Sequence, residues 1–250
     1  MYTLKKSLGQ HFLKDENISR RIVDALADCS FTNLLEVGPG GGALTKYLVE
    51  LPGINFKAVE LDDEKVAFLK KTYPLLQDKI LHESVLDMVP PFDGRFAVIG
   101  NFPYNISTEI VFRMIEWRQN IDCMVGMFQK EVAQRLASKE GSKVYGVTSV
   151  LTQAFFDVHY LFDVDQNSFT PPPKVMSGVI KLVPKKQAIT IKDERKLFIL
   201  VKAAFNQRRK TLRNAVKPLF DETVLKEDLF NKRAEQLSIE DFAALTFRMQ

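Results

Sequence analysis

Leu34-Leu35-Glu36-Val37-Gly38-Pro39-Gly40-Gly41-Gly42-Ala43-Leu44-Thr45 changes character halfway along. Asn33–Val37 predicts a short buried strand, the glycines from Gly38 break it, and Ala43–Leu51 resumes with helical spacing. Glycines after a buried strand let backbone approach a ligand closely, and the helix that follows presents free N–H groups. Taken alone, such a turn also serves as a plain strand–helix connection. It lacks the Gly-Lys-Ser/Thr of a P-loop.

The same alternation continues outward. Phe56–Leu61 predicts a second strand, Asp63–Thr72 a helix and Ile80–Leu86 a third strand; Phe96–Gly100, Ser107–Trp117 and Cys123–Phe128 read as strand, helix, strand. Strands separated by helices imply βαβ units and a mostly parallel, doubly wound sheet covered on both faces. Val158–Val164 and Ser177–Leu182, joined through the Pro-rich Thr170–Pro173, have no helix between them and read as an antiparallel pair finishing the sheet. After Pro184 the pattern is helical: Glu194–Phe205, Lys210–Phe220, Lys232–Gln236 and Ile239–Phe247, the last preceded by Ser238 and Asp241 in a capping-box arrangement. The expected organisation is an α/β domain over 1–183 and a small all-helical domain over 184–250.

Composition narrows the class. With 250 residues, 46% hydrophobic and 26% charged, the chain is neither disordered, collagen-like nor a plain coiled coil. Cys29 and Cys123 cannot build a disulfide framework and suit a reducing cytosol. Together with His82 and His159 they show no metal-ligand spacing, so no metal is expected. No apolar run approaches the roughly 18 residues of a membrane span. Met1–Leu13 carries Lys5 and Lys6 without the apolar stretch of a signal peptide, so the expected location is cytoplasmic. The formal charge of +4 is unevenly spread: residues 1–180 hold 19 Lys+Arg against 22 Asp+Glu, a net of −3, and 181–250 hold 16 against 9, a net of +7. A basic tail on a mildly acidic body points to an anionic macromolecule, nucleic acid before membrane.

Glu60 ends the second strand, 22 residues after Gly38, where an acid can hold both hydroxyls of a ribose. A nucleoside-bearing cofactor at Gly38 and Gly40 is then either a nicotinamide dinucleotide or S-adenosylmethionine. Glu36 favours the second, because a carboxylate repels a pyrophosphate but suits a sulfonium ligand bearing an ammonium group. Asp87, after the third strand, is positioned to accept an adenine amine. The fourth strand runs into Asn101-Phe102-Pro103-Tyr104. The Asn101 oxygen and the carbonyl of Phe102 or Pro103 can accept both N–H groups of an adenine amine, while Tyr104 stacks on the base. These residues suit methylation of a planar amine.

Several runs together resemble the ribosomal RNA adenine dimethyltransferases of the small-subunit, kasugamycin-resistance type. They are Lys6–Leu13, the glycine loop, Asn101–Tyr104, Phe169–Ile180, Ala204–Leu212 and Arg233–Ser238, and they span nearly the whole chain. The resemblance implies a Rossmann-like class I fold and catalysis at Asn101, Pro103 and Tyr104. It further implies S-adenosylmethionine contacts at His11, Leu13, Gly38, Glu60, Asp87 and Asn101. Its substrate would be two adjacent adenosines in the 3′-terminal hairpin of 16S rRNA within an immature small subunit, each methylated twice, with no obligate protein partner. His11 departs from the asparagine common at its position. For RNA, Arg208, Arg209, Lys210, Arg213 and Lys217 are the densest basic cluster, with 209, 213 and 217 on one face of the expected helix; Lys174 after the three prolines is a further candidate. Phe169 fits either the target base or the core. A macrolide-resistance-type 23S rRNA methyltransferase and a non-catalytic RNA-binding assembly factor are the competing readings. The Lys174–Ile180 and Arg233–Ser238 runs argue against the first, Asn101–Tyr104 and Glu60 against the second.

Overall fold

The computed structural model describes residues 11–250; the Lys6–Gln10 part of the amino-terminal run lies outside the described residues. In chain order the elements are β1 (Phe12–Leu13), α1 (Glu16–Asp24), β2 (Asn33–Val37), α2 (Thr45–Leu48), β3 (Asn55–Glu60), α3 (Asp63–Thr72), β4 (Ile80–His82), β5 (Phe96–Asn101), α4 (Ser107–Glu116) and β6 (Ile121–Gln129). They continue with α5 (Lys130–Leu136), α6 (Val147–Gln153), β7 (Phe156–Val164), β8 (Phe169–Thr170), β9 (Ser177–Pro184), α7 (Glu194–Asn206), α8 (Leu212–Ala215), α9 (Glu222–Leu225) and α10 (Ile239–Leu245).

Seven strands form one sheet in the order β4-β3-β2-β5-β6-β9-β7. The pairs β2–β3, β3–β4, β2–β5 and β5–β6 are parallel, and β9 runs antiparallel to β6. The strand order reverses between β2 and β5, so a crevice opens at their carboxyl ends, where doubly wound sheets take their ligands. Leu34–Val37 of β2 and Phe96–Ile99 of β5 are buried without alternation, as strands covered on both faces must be. Beside the main sheet, β1 pairs antiparallel with β8, Phe12 opposite Thr170 and Leu13 opposite Phe169. The amino-terminal segment is thereby held beside the Pro-rich loop.

Several expectations are corrected. The strand expected over Ile80–Leu86 stops at His82, because Ser84 turns the chain by accepting from the Leu86 N–H at 3.2 Å. The helix expected over Ala43–Leu51 shrinks to α2. The helix expected over Lys210–Phe220 is broken: Thr211 is extended, α8 covers only Leu212–Ala215, and Lys217–Leu219 is a 3₁₀ turn containing Pro218. Proline lacks the helical N–H and disfavours the α conformation at the residue before it, here Lys217. The shared basic face of 209, 213 and 217 is therefore lost. Cys29 and Cys123 are not separate thiols: they form a disulfide, their Cα atoms 6.4 Å apart, between the segment after α1 and strand β6.

The chain folds as two compact units, the first comprising the residues through Ala133 with Val158–Pro184, the second Gln134–Asp157 with Lys185–Gln250. The boundary expected at 183/184 thus misses Gln134–Asp157, which packs with the carboxyl-terminal helices. The Tyr145 ring meets Phe205 edge-on at 6.0 Å, the Gly141 N–H donates to the Glu235 carbonyl at 2.7 Å, and the Arg208 guanidinium donates to the carbonyls of Lys143 and Tyr145. Within this unit α10 starts with a true capping box, Ser238 and Asp241 each satisfying the other's backbone N–H at 3.0 Å. The second unit holds 18 Lys+Arg against 11 Asp+Glu, the first 17 against 20.

At the centre of the sheet Gly100 of β5 lies opposite Gly126 of β6. The buried Phe102 ring occupies the trough they leave: a Cβ at Gly100 would fall 2.6 Å from both that ring and the Val37 carbonyl, and one at Gly126 would overlap the ring itself. Gly126→Ala should cost about 1–3 kcal/mol through overpacking, read as a lower urea midpoint at unchanged slope. An unchanged midpoint would show that the ring is not confined by this strand pair.

Candidate active site

One cavity opens at the carboxyl ends of β2, β3 and β5, between the glycine loop on one side and β1 with the Asn101–Ile106 segment on the other. Gly38 and Gly40 have φ of 66° and 55°, in the region that favours glycine, and a Cβ at Gly40 would lie 3.5 Å from the Phe12 ring that also lines the cavity. At Gly38 and Gly40 the loop offers bare backbone to the cavity. Glu60 holds its shape: one carboxylate oxygen accepts the Gly40 N–H at 3.1 Å, the other the N–H groups of Leu61 and Asp62 at 3.0 Å each. The oxygen that accepts from Gly40 keeps a second lone pair with which to accept a ligand hydroxyl.

Glu36 is buried and accepts a 2.7 Å hydrogen bond from the Thr45 hydroxyl. Burial pushes its carboxyl up to about 8, the nearby Glu60 adds to that, and Thr45 opposes it. The carboxylate expected here is thus largely protonated at neutral pH, and a ligand ammonium beside it would draw the proton off.

Asn101 ends β5 with its Nδ2 donating to the His11 backbone carbonyl at 3.4 Å. The amide's donor end is engaged, which leaves Oδ1 to accept from a ligand. The Phe102 ring is buried in the core, although the residue borders the cavity together with Pro103 and Tyr104. The Pro103 carbonyl accepts the Ile106 N–H at 3.2 Å, the Tyr104 hydroxyl lies 2.6 Å from Ser177 Oγ, and the Tyr104 ring lies 5.8 Å from the His11 ring. Burial raises the Tyr104 phenol above its ordinary value. His11 Nδ1 lies 2.8 Å from the Pro171 carbonyl, and Leu13 is buried against the cavity.

Of the sequence candidates, His11, Leu13, Glu36, Gly38, Gly40, Glu60, Asn101, Pro103 and Tyr104 converge on this cavity. Asp87 does not line it; it is exposed on the turn after β4. Phe169 is fully buried in the core. Among the basic candidates Lys174, Arg209, Lys210 and Lys217 are exposed, whereas Arg208 holds the Lys143 and Tyr145 carbonyls and Arg213 donates to the Leu225 carbonyl at 2.7 Å. Sequence reasoning missed Lys65, buried at the cavity with its ammonium 5.3 Å from the centre of the Phe12 ring, although its place in the first turns after Glu60 was a usable signal. It missed Thr45 and Ser177 as well. Among the described residues no cluster of His, Cys, Asp or Glu could hold a metal ion, and no helix is long and apolar enough to cross a membrane.

A glycine cradle and an acid-ended β3 at the switch point of this sheet define a Rossmann-like class I methyltransferase fold. A crystal structure of a dimethyladenosine transferase from Plasmodium falciparum superposes with a TM-score of 0.78 at 26% identity, covering 93% of this chain and 94% of that one. The family model described as ribosomal RNA adenine dimethylase matches residues 1–249, and the chain belongs to that family. Curated relatives named ribosomal RNA small subunit methyltransferase A are similar along their length. The one from Flavobacterium johnsoniae is 51% identical over 98% of this chain and 95% of its own, that from Cytophaga hutchinsonii 50% identical over 97% and 95%.

The Glu36 carboxyl has a testable signature. Its folded-state value lies above the ordinary 4.5, so the stability it contributes is fully present below that pH and is lost as pH rises towards 8. Glu36→Gln keeps an acceptor for Thr45 without a titrating proton. Relative to this variant, the ligand-free wild type should lose up to about 1.4 kcal/mol per pH unit between pH 5 and 8 in urea unfolding. Parallel stability curves for the two chains would refute the shift.

Proposed function

We propose that this chain transfers methyl groups from S-adenosylmethionine to the exocyclic amines of two adjacent adenosines in the 3′-terminal hairpin of 16S rRNA, dimethylating each during small-subunit biogenesis in the cytoplasm. The observation that carries the reading is Asn101, donor end engaged and acceptor end available, beside Pro103 and Tyr104 at the mouth of a glycine-lined cavity. Membership of the family and the small-subunit relatives support the choice of RNA.

The cavity's residues fit the cofactor. In this reading Glu60 takes a ribose hydroxyl, the bare backbone at Gly38 and Gly40 lets the cofactor approach closely, and Glu36 takes the ammonium group. When bound, S-adenosylmethionine supplies a methyl group on a positively charged sulfur. The chain's own residues prepare the acceptor. Asn101 Oδ1 and the carbonyl of Phe102 or Pro103 accept the amine's two N–H groups, which draws the nitrogen lone pair out of conjugation with the purine. Tyr104 stacks on the extruded base. The cofactor would supply the methyl group with the sulfur keeping the pair of the S–C bond, and Asn101 with the backbone carbonyl would hold the amine nitrogen towards it. The amine proton, made acidic by the positive charge on nitrogen, passes to solvent, so no strong base is required. Acceptors fixed before the reaction need no reorganisation during it.

The direct assay is methyl transfer to small subunits lacking the modification, with product nucleosides identified. Asn101→Ala should abolish transfer, by roughly 100-fold or more on the scale of a lost pre-positioned polar group, while leaving RNA binding intact. Normal dimethyladenosine from that variant would sink the assignment.

The RNA footprint divides on what each cation already does. Arg209, Lys210, Lys217 and Lys174 are exposed and suited to phosphates; Arg208 and Arg213 serve their own unit's carbonyls first. Arg209→Ala with Lys210→Ala should lower the slope of log affinity against log salt by about 1.5–2, as two lost phosphate contacts require. An unchanged slope would remove this pair from the interface.

A further inference from the structure

Ser177 is the first residue of β9 and is fully buried. It does not line the cavity. Among the described residues its hydroxyl meets one side-chain polar group, the Tyr104 phenol at 2.6 Å, 73 residues away in sequence. Two backbone features make the anchor rigid. Ser177 pairs with Gln129 in the β6–β9 ladder, and the preceding Met176 carbonyl accepts the Lys130 N–H at 2.9 Å where α5 begins. Tyr104 itself sits on a connection, between β5 and α4, tied at its backbone by the Ser107 hydroxyl donating to its carbonyl at 3.1 Å. That tie holds the backbone; the ring is flanked by His11, and the Ser177 hydrogen bond fixes its far end.

We propose that Ser177 is a positioning residue: by holding the Tyr104 phenol it fixes the plane on which the target base stacks, and the second methyl transfer depends on it more than the first. The inference rests on the function proposed above. In the first transfer the amine offers two N–H groups, so two acceptors and the Tyr104 ring together orient it. After that transfer one N–H remains. One acceptor loses its partner, and the ring's orientation carries a larger share of the alignment. Alignment of reacting atoms within a fraction of an ångström has large effects on rate, so a ring free to swing slows the second step preferentially.

The test measures N6-monomethyl- and N6,N6-dimethyladenosine formed on unmodified small subunits. Ser177→Ala should lower kcat for the second transfer roughly five- to tenfold, the scale of one neutral hydrogen bond, so that monomethyladenosine accumulates. KM for S-adenosylmethionine should stay within about twofold. Tyr104→Phe removes the same bond from the other side and should give the same product ratio, the double variant should be no worse than either single one, and Ser177→Thr, which keeps a hydroxyl, should restore dimethylation. Should Ser177→Ala fail to fold, Tyr104→Phe alone carries the test, because it alters nothing in β9. A wild-type product ratio from Tyr104→Phe or from folded Ser177→Ala, or additive losses in the double variant, overturns the proposal. Wild-type protein that forms no dimethyladenosine overturns the function itself; dimethylation that Asn101→Ala abolishes and Ser177→Ala leaves untouched overturns only the role of Ser177.

Discussion

The Phe102 ring in its trough over Gly100 and Gly126 is the contact on which the candidate site depends. The two glycines face each other across β5 and β6, and the room they leave lets an aromatic side chain lie flat across the middle of the sheet. Because Phe102 points into the core, its neighbours Asn101 and Pro103–Tyr104 are turned towards the cavity. Few points of the fold are harder to move, since the strands around it are buried on both faces and packed at near-crystalline density. A reaction that needs acceptors fixed before the substrate arrives is well served by an anchor of this kind.

The glycine loop solves a related problem with polar groups. Its backbone must stay open for a ligand yet keep one shape, and Glu60 does this by gathering N–H groups from Gly40, Leu61 and Asp62 onto one carboxylate. A second carboxyl, Glu36, lies in the same cavity. Burial above all, with the neighbouring Glu60 carboxylate adding to it, raises the Glu36 carboxyl and keeps it protonated beside the Thr45 hydroxyl. The cavity is therefore less negative than its acids suggest until a cation enters it, at which point releasing the Glu36 proton adds attraction where it is needed.

What the sequence made legible follows from the range of the interactions concerned. Strands such as Phe96–Ile99 are covered on both faces and announce themselves as unbroken apolar runs. Helix α3 is bounded by the local Asp62 cap, and its limits coincide with the expected ones. Glu36, Glu60 and Asn101, which line the cavity, stood out in the sequence because each lies at or beside the carboxyl end of one of these strands. The failures lie where distant segments decide. Gln134–Asp157 joins the carboxyl-terminal helices through Arg208 and Gly141, the Cys29–Cys123 pair spans 94 residues, and Ser177 meets Tyr104 across 73. The broken helix at Lys210–Phe220 is a different failure: Pro218 was a local signal, overridden in the reading by the spacing of the basic residues.

The departure at His11 shows how a site tolerates substitution where backbone does the work. Asn101 is oriented by the carbonyl of residue 11, not by its side chain, so that contact is available whichever residue stands there. The imidazole is free to act elsewhere: its Nδ1 meets the Pro171 carbonyl, and its ring lies beside Tyr104. It thus ties the amino-terminal segment to the Pro-rich loop on the side of the cavity where Ser177 holds the phenol. An asparagine could make the hydrogen bond but has no ring to set against Tyr104. The His11 ring therefore lies beside Tyr104, on the face where the proposed function places the target base, while its backbone carbonyl holds Asn101.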